Sequence, residues 1–198
     1  SEIAGRLAIQ NGAHLLHAPQ GGRGILLGGL PGTEHGRVVV LGAGEAGGAA
    51  VAAAAVLGAE VTVFARTRDS LERMCRFGPN VTALYSYHGA IAAAVQQADL
   101  LIGAVLIPGA RAPQLVTRAM VRSMRPGAVV VDISVDQGGC IETIHPTDYK
   151  NPTYVEEGVI HFGVTNMPGA VPRTAAQALS GAVAPYAARL AQPGWEQD

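Results

Sequence analysis

Apolar positions along the chain fall into two patterns. The first 17 residues place Ile3, Leu7, Ala8 and Leu15 on one face with Glu2, Arg6 and Gln10 elsewhere, which predicts a helix. A glycine-rich connector follows, from Gln20-Gly21-Gly22-Arg23-Gly24 to Gly28-Gly29-Leu30-Pro31-Gly32. From Arg37 onward short apolar runs alternate with helical stretches. The runs Val38–Leu41, Val61–Phe64, Val81–Leu84, Leu100–Ile102, Val129–Ile133 and Val159–Val164 predict strands. Helices are expected over Glu45–Leu57, near Ser70–Arg76, over Ile91–Ala98 and from Gln114, with a long apolar helix over Thr174–Ala191. Continuously apolar strands separated by helices describe an α/β protein whose parallel sheet is buried on both faces. Right-handed crossovers make that a doubly wound sheet. The opening and closing helices lie outside the repeat and read as connectors.

Composition narrows the classes. The 198 residues carry 14 Lys+Arg against 15 Asp+Glu, a formal net charge of −1, with 15% charged residues. A nucleic-acid or membrane-surface partner calls for a basic excess that is absent here. A hydrophobic fraction of 48% and a mean hydropathy of +0.24 exclude a disordered chain. No apolar run reaches the roughly 18 residues needed to span a bilayer, and the opening Ser1-Glu2-Ile3-Ala4 does not read as a signal peptide. The cytoplasm is therefore the expected compartment. Cys75 and Cys140 lie far apart with no metal-ligand spacing, and each is expected to be a buried free thiol. His14 and His17 share a helical face without a third ligand, and His161 reads as a core histidine, so no metal is expected.

The motif with chemical content is Gly42-Ala43-Gly44-Glu45-Ala46-Gly47. It follows a predicted strand and opens a predicted helix, the context that dinucleotide binding needs. Gly42 permits a tight turn, Gly44 lets the backbone approach a pyrophosphate, and Gly47 permits close packing of helix on strand. The helix N-terminus would offer unpaired N–H groups to phosphate oxygens. The same pattern also serves as a strand–helix turn with no ligand. With dinucleotide binding as the working expectation, the chain divides into a connecting helix over 1–18, a Rossmann domain over 19–172 and a connecting helix over 173–198.

An NAD site calls for an acidic residue at the end of the second strand to accept from the ribose 2′-hydroxyl. Here the strand ends in Ala65-Arg66-Thr67-Arg68, with no carboxylate before Asp69. Arg66 and Arg68 suit a 2′-phosphate, and equally suit a solvated basic turn. Asp136 sits just past an apolar strand, at the carboxyl edge where such sheets bind ligands. It would hold a water or ammonium there, or cap a turn with Gly138-Gly139. Asn166 after the last strand would orient a carboxamide, or punctuate the loop before Pro172.

Several further segments carry a resemblance: Ser1-Glu2-Ile3-Ala4-Gly5-Arg6, the two connector segments, Gly103-Ala104-Val105-Leu106-Ile107-Pro108-Gly109-Ala110, Asp132-Ile133-Ser134-Val135-Asp136-Gln137-Gly138-Gly139-Cys140, and Asn166-Met167-Pro168-Gly169-Ala170-Val171-Pro172. In this order they resemble the NAD-binding portion of the alanine dehydrogenase and pyridine nucleotide transhydrogenase family. The Asp136 and Asn166 segments resemble the alanine dehydrogenase branch. The resemblance implies that Ser1, Ser86, Val105, Leu106, Ile133, Val164, Asn166 and Met167 line the dinucleotide site. It places Asp136 beside the nicotinamide and the reacting carbon. It makes NAD the default cofactor, while Ala65-Arg66 in place of the family's acidic ribose ligand brings in NADP. It also implies a second, substrate-holding domain absent from this sequence, an incomplete active site in this chain alone, and homo-oligomers. The alternatives are a transhydrogenase-like subunit handing hydride to a partner, and an interaction protein that kept the fold and lost the ligand.

Overall fold

Valine runs with no polar break form strands that can only be buried on both faces, and that is how the sheet is built. A computed structural model describes residues 1–106, 109 and 112–192. These fall into two compact units, Ser1–Thr165 and Asn166–Asp198. The first unit opens with α1 (Glu2–Leu15) and continues with β1 (Arg37–Leu41), α2 (Glu45–Val56), β2 (Glu60–Ala65), α3 (Arg68–Cys75), β3 (Val81–Tyr85), α4 (His88–Gln97), β4 (Leu100–Gly103), α5 (Arg118–Ser123), β5 (Val129–Asp132), β6 (Thr153–Glu156) and β7 (Val159–Phe162). Ile107, Pro108, Ala110 and Arg111 lie outside the described residues, as do residues 193–198 of the expected closing helix.

The sheet has the order β3-β2-β1-β4-β5-β7-β6. Every neighbouring pair is parallel except β6–β7. The chain winds outward from β1 to β3, then returns to lay β4 against the other side of β1. The β1–β4 junction is thus the point where winding reverses, and sheets wound in this way take ligands in the crevice beyond the carboxyl ends of those strands. Val39, Leu41, Leu101 and Val130 pack with Ile91 and Val95 of α4 and Met120 and Val121 of α5. Alternate residues such as Leu100 face the other layer, where α1 and α2 lie together. Each fully buried valine or leucine contributes about 1.5–3 kcal/mol relative to exposure.

The expected connector over 1–18 contains α1. Its helix is packed into the first unit by two glycines. A Cβ at Gly5 would stand 2.1 Å from the Ala46 carbonyl oxygen of α2, and one at Gly12 would stand 2.5 Å from the Leu100 side chain. Arg23 of the glycine-rich connector pins the opposite, amino edge of the sheet. Its guanidinium pairs with Asp99, 4% exposed, whose other carboxylate oxygen accepts the Arg37 N–H at 2.8 Å.

Other departures have local causes. The helix expected from Gln114 starts at Arg118, because Thr117 caps it through its hydroxyl oxygen (3.3 Å to the Met120 N–H) while Val116 pairs in extended form with Ile141. β6 was not expected. It is tied to β7 by the turn Glu157-Gly158, both at positive φ (53° and 76°), the twist that tight hairpins need. Cys75 is exposed, contrary to expectation, because it ends α3 on the solvent side, whereas Cys140 is buried as expected. His161 is a satisfied core histidine: its Nδ1–H donates to the Val159 carbonyl (2.9 Å), leaving Nε2 to accept from the Thr143 hydroxyl (2.7 Å).

In the second unit, Asn166 adopts φ 52°, a left-handed geometry that asparagine tolerates, ahead of the short turn Met167–Ala170. α6 (Pro172–Leu190) follows, with Leu179, Val183, Tyr186 and Leu190 all exposed. No helix among the described residues is long and apolar enough to cross a membrane.

Candidate functional site: a glycine-loop crevice

Three glycines shape the turn between β1 and α2, each for a different reason. Gly42 takes φ 104°, and a Cβ there would stand 2.5 Å from the Ala104 carbonyl oxygen beyond β4. At Gly47 a Cβ would stand 1.9 Å from the Gly42 carbonyl oxygen, so only glycine lets α2 start this close to the strand. Gly44 is different: it is exposed, caps α2, and a Cβ there would meet nothing within 4 Å. Of the three, Gly44 alone keeps open space around it. Arg73 of α3 steadies the loop by donating to the Ala43 carbonyl. Sequence reading missed Arg73, and no spacing rule points to it.

The walls of the crevice come from the next two parallel strands. Val105 is half-buried and packs on the core, while Leu106 is 58% exposed at the carboxyl end of β4. Ile133 follows β5 and its N–H donates to the Gly103 carbonyl (2.8 Å), which ties the two exits together. Asp136 is exposed at the crest of a short helical turn, Val135–Gln137, closed by Gly138 at φ 91°. Val164 lies beyond β7 and is 2% exposed. On the far side, the Ser86 N–H donates to the Ala65 carbonyl (3.1 Å), joining the ends of β2 and β3. Arg66 is exposed at that end, whereas Arg68 pairs along its own helix with Glu72 (2.7 Å). Ser1 precedes α1 without a side-chain capping bond, and its neighbour Glu2 lines, with Gly44 and Arg73, a cavity of about 310 Å³ bounded by α1, α2 and α3. This cavity reaches the glycine turn at Gly44, while Val105, Leu106 and Ile133 are not among its lining residues. Asn166 and Met167 belong to the second unit.

The turn-capping role considered for Asp136 falls instead to Asp132. Its buried carboxylate accepts from the Ser134 N–H (2.8 Å) and hydroxyl (2.5 Å) and from the Cys140 N–H (2.8 Å). The Cys140 thiol beside it is pushed up by burial and by the Asp132 charge, which disfavours the nucleophilic thiolate.

Comparison with known proteins places the chain. The alanine dehydrogenase/PNT C-terminal domain model matches residues 8–198. The chain belongs to this family. Within the alanine dehydrogenase/PNT family it is 50% identical over 198 residues to an alanine dehydrogenase of Halomonas elongata, across 100% of this chain and 53% of that relative. A solved structure of L-alanine dehydrogenase matches with a TM-score of 0.94 and 53% identity, over 98% of this chain and 54% of that one. A transhydrogenase from Sinorhizobium meliloti matches with a TM-score of 0.73 and 30% identity, over 86% of this chain and 48% of that one. The chain spans about half the length of the curated relatives it matches. The resemblance read in the sequence and the family found here agree.

Proposed function

We propose that this chain is the dinucleotide-binding part of an alanine dehydrogenase. The complete enzyme would convert L-alanine, NAD(P)+ and water to pyruvate, ammonium, NAD(P)H and a proton. The observation that carries the reading is the glycine turn at the β1–β4 switch point, where Gly44 leaves open space at the start of α2. The N-terminal amides of α2 suit a pyrophosphate there. Val105, Leu106 and Ile133 would face the nicotinamide end, and Asp136 would hold a water or ammonium beside the reacting carbon. Ser1, Gly42, Gly44, Gly47, Ser86, Val164, Asn166 and Met167 complete the proposed set from the motif and the family resemblance. A bound nicotinamide would accept the hydride. The weaker match to the transhydrogenase makes hydride exchange between nucleotides the lesser reading.

NAD is the default cofactor of this reading. NADP is the second candidate, because Ala65 offers no acceptor to a ribose 2′-hydroxyl and exposed Arg66 and Arg68 suit a 2′-phosphate. Substrate-holding groups are assigned to the part of the enzyme beyond this chain. The exposed row of Leu179, Val183, Tyr186 and Leu190 on α6, at helical spacing, supports association with that part or with another subunit. Calorimetric titration of the chain with NADH and then NADPH, at one salt concentration, tests the reading. Saturable binding of either supports it, and failure to bind both leaves only the fold.

A further inference from the structure

Asp132 is a buried acid at the end of an apolar strand, and it is held by geometry that packing alone does not need. Its Oδ1 accepts from the backbone and hydroxyl of Ser134, and its Oδ2 from the backbone of Cys140. One carboxylate thus grips both feet of the loop between those residues. Within the loop the Gln137 N–H donates to the Ser134 carbonyl (2.9 Å) and the Gly139 N–H to the same oxygen (3.1 Å), which leaves Asp136 exposed at the crest. Two glycines make room for the grip. A Cβ at Gly103 would stand 2.6 Å from the Asp132 Cγ, and one at Gly139, φ 69°, would stand 3.0 Å from Oδ2. Burying a charge costs free energy even when it is well hydrogen-bonded, and an apolar residue would fill the same volume without that cost. What the carboxylate adds is directional: three acceptor bonds that an apolar residue cannot make.

We propose that Asp132 is a positioning residue that fixes the loop carrying Ile133 and Asp136 against the nicotinamide end of the crevice. This rests on the dinucleotide reading above. The pyrophosphate loop Gly42–Gly47 belongs to other elements, so damage to the clamp should be felt at one end of the dinucleotide only.

Asp132→Asn in the full chain keeps size and shape but turns an N–H₂ donor toward an amide donor. Titration with NADH and with ADP-ribose, which lacks the nicotinamide, separates positioning from general stability. The expected result is NADH binding weakened about tenfold, the equivalent of one lost hydrogen bond to a charged group, with ADP-ribose within about twofold of the parent chain. Ser134→Ala removes one of the three bonds and should weaken NADH about threefold, again sparing ADP-ribose. That second variant decides the matter if the first does not fold. Equal weakening of both ligands, or unchanged NADH binding, overturns the proposal. Amide hydrogen exchange of the unliganded chain gives an independent reading: the backbone amides at positions 134 and 140 should exchange faster in Asp132→Asn, and the Cys140 amide faster in Ser134→Ala, and unchanged rates overturn the clamp. A parent chain that binds neither ligand refutes the dinucleotide reading, while the exchange rates still judge the clamp.

Discussion

The loops after β1 and after β5 both sit at the carboxyl edge, yet they are held by opposite means. Gly42–Gly47 is fixed by what is missing, since two of its glycines lie where any side chain would strike backbone. The loop 133–140 is fixed by what is present, a buried carboxylate with three donors around it. Steric fixing tolerates no side chain at Gly42 or Gly47, and the Arg73 bond to the Ala43 carbonyl only adds to it. Polar fixing depends on every partner staying in place, because a buried amide left unpaired costs about 1–3 kcal/mol.

The sharpest way to break this contrast is Gly47→Ala. The added methyl meets the Gly42 carbonyl oxygen, and the chain should lose about 3 kcal/mol, read from the midpoint of urea unfolding. Asp132→Ala should cost about 2 kcal/mol in the same assay, by leaving the Ser134 and Cys140 amides unsatisfied. Ala65→Asp supplies the missing acceptor beside the glycine loop and should shift the NADH to NADPH affinity ratio toward NADH by at least about tenfold. An unchanged ratio would show that this strand end does not face the ribose. Acid pH probes the other loop, whose neighbour Thr143 bonds His161. Burial lowers the His161 pKa, so the unfolded chain takes up the proton first. Its contribution is complete above the unfolded value near 6.5 and is lost as pH falls toward the lower folded value, with a slope of at most about 1.4 kcal/mol per pH unit. Thermal midpoints from pH 7.5 to 5 should fall, and His161→Gln should flatten that fall. The smallest effect belongs to Gly44→Ala: φ is −75° and space is open, so stability should change by less than about 1 kcal/mol while NADH binding weakens.

The same contrast explains what the sequence could reveal. β1, the glycine turn and α2 are legible because a valine run followed by spaced glycines is a local pattern with few other uses. The clamp is not legible: Asp132 bonds backbone amides two and eight residues later, and any sequence supplies amides there. β6 escaped notice because Thr153–Glu156 is short and only partly buried, and because Glu157-Gly158 replaces the Asn-Gly or Asp-Gly that marks a tight hairpin. The apolar face of α1 alone does not say what covers it. Gly5 and Gly12 were the available signal, marking where α1 meets α2 and Leu100. Arg68 bridges Glu72 one helical turn on, at the surface, a contact that its adjacency to Arg66 does not reveal.

The antiparallel β6 gives the sheet two unlike rims. At that rim the strand is four residues long, preceded by Pro152 and anchored through Glu156 to Arg118 of α5, with Arg122 holding Glu157 in the adjoining turn (2.9 Å). Short length, proline and charge are the features that discourage a further strand from adding. At the other rim β3 reads Val81-Thr82-Ala83-Leu84-Tyr85, without a charge, and exposes Leu84 and Tyr85. Unwanted growth of this sheet in concentrated solution would therefore start from β3, and a lysine at Thr82 is the simplest guard against it.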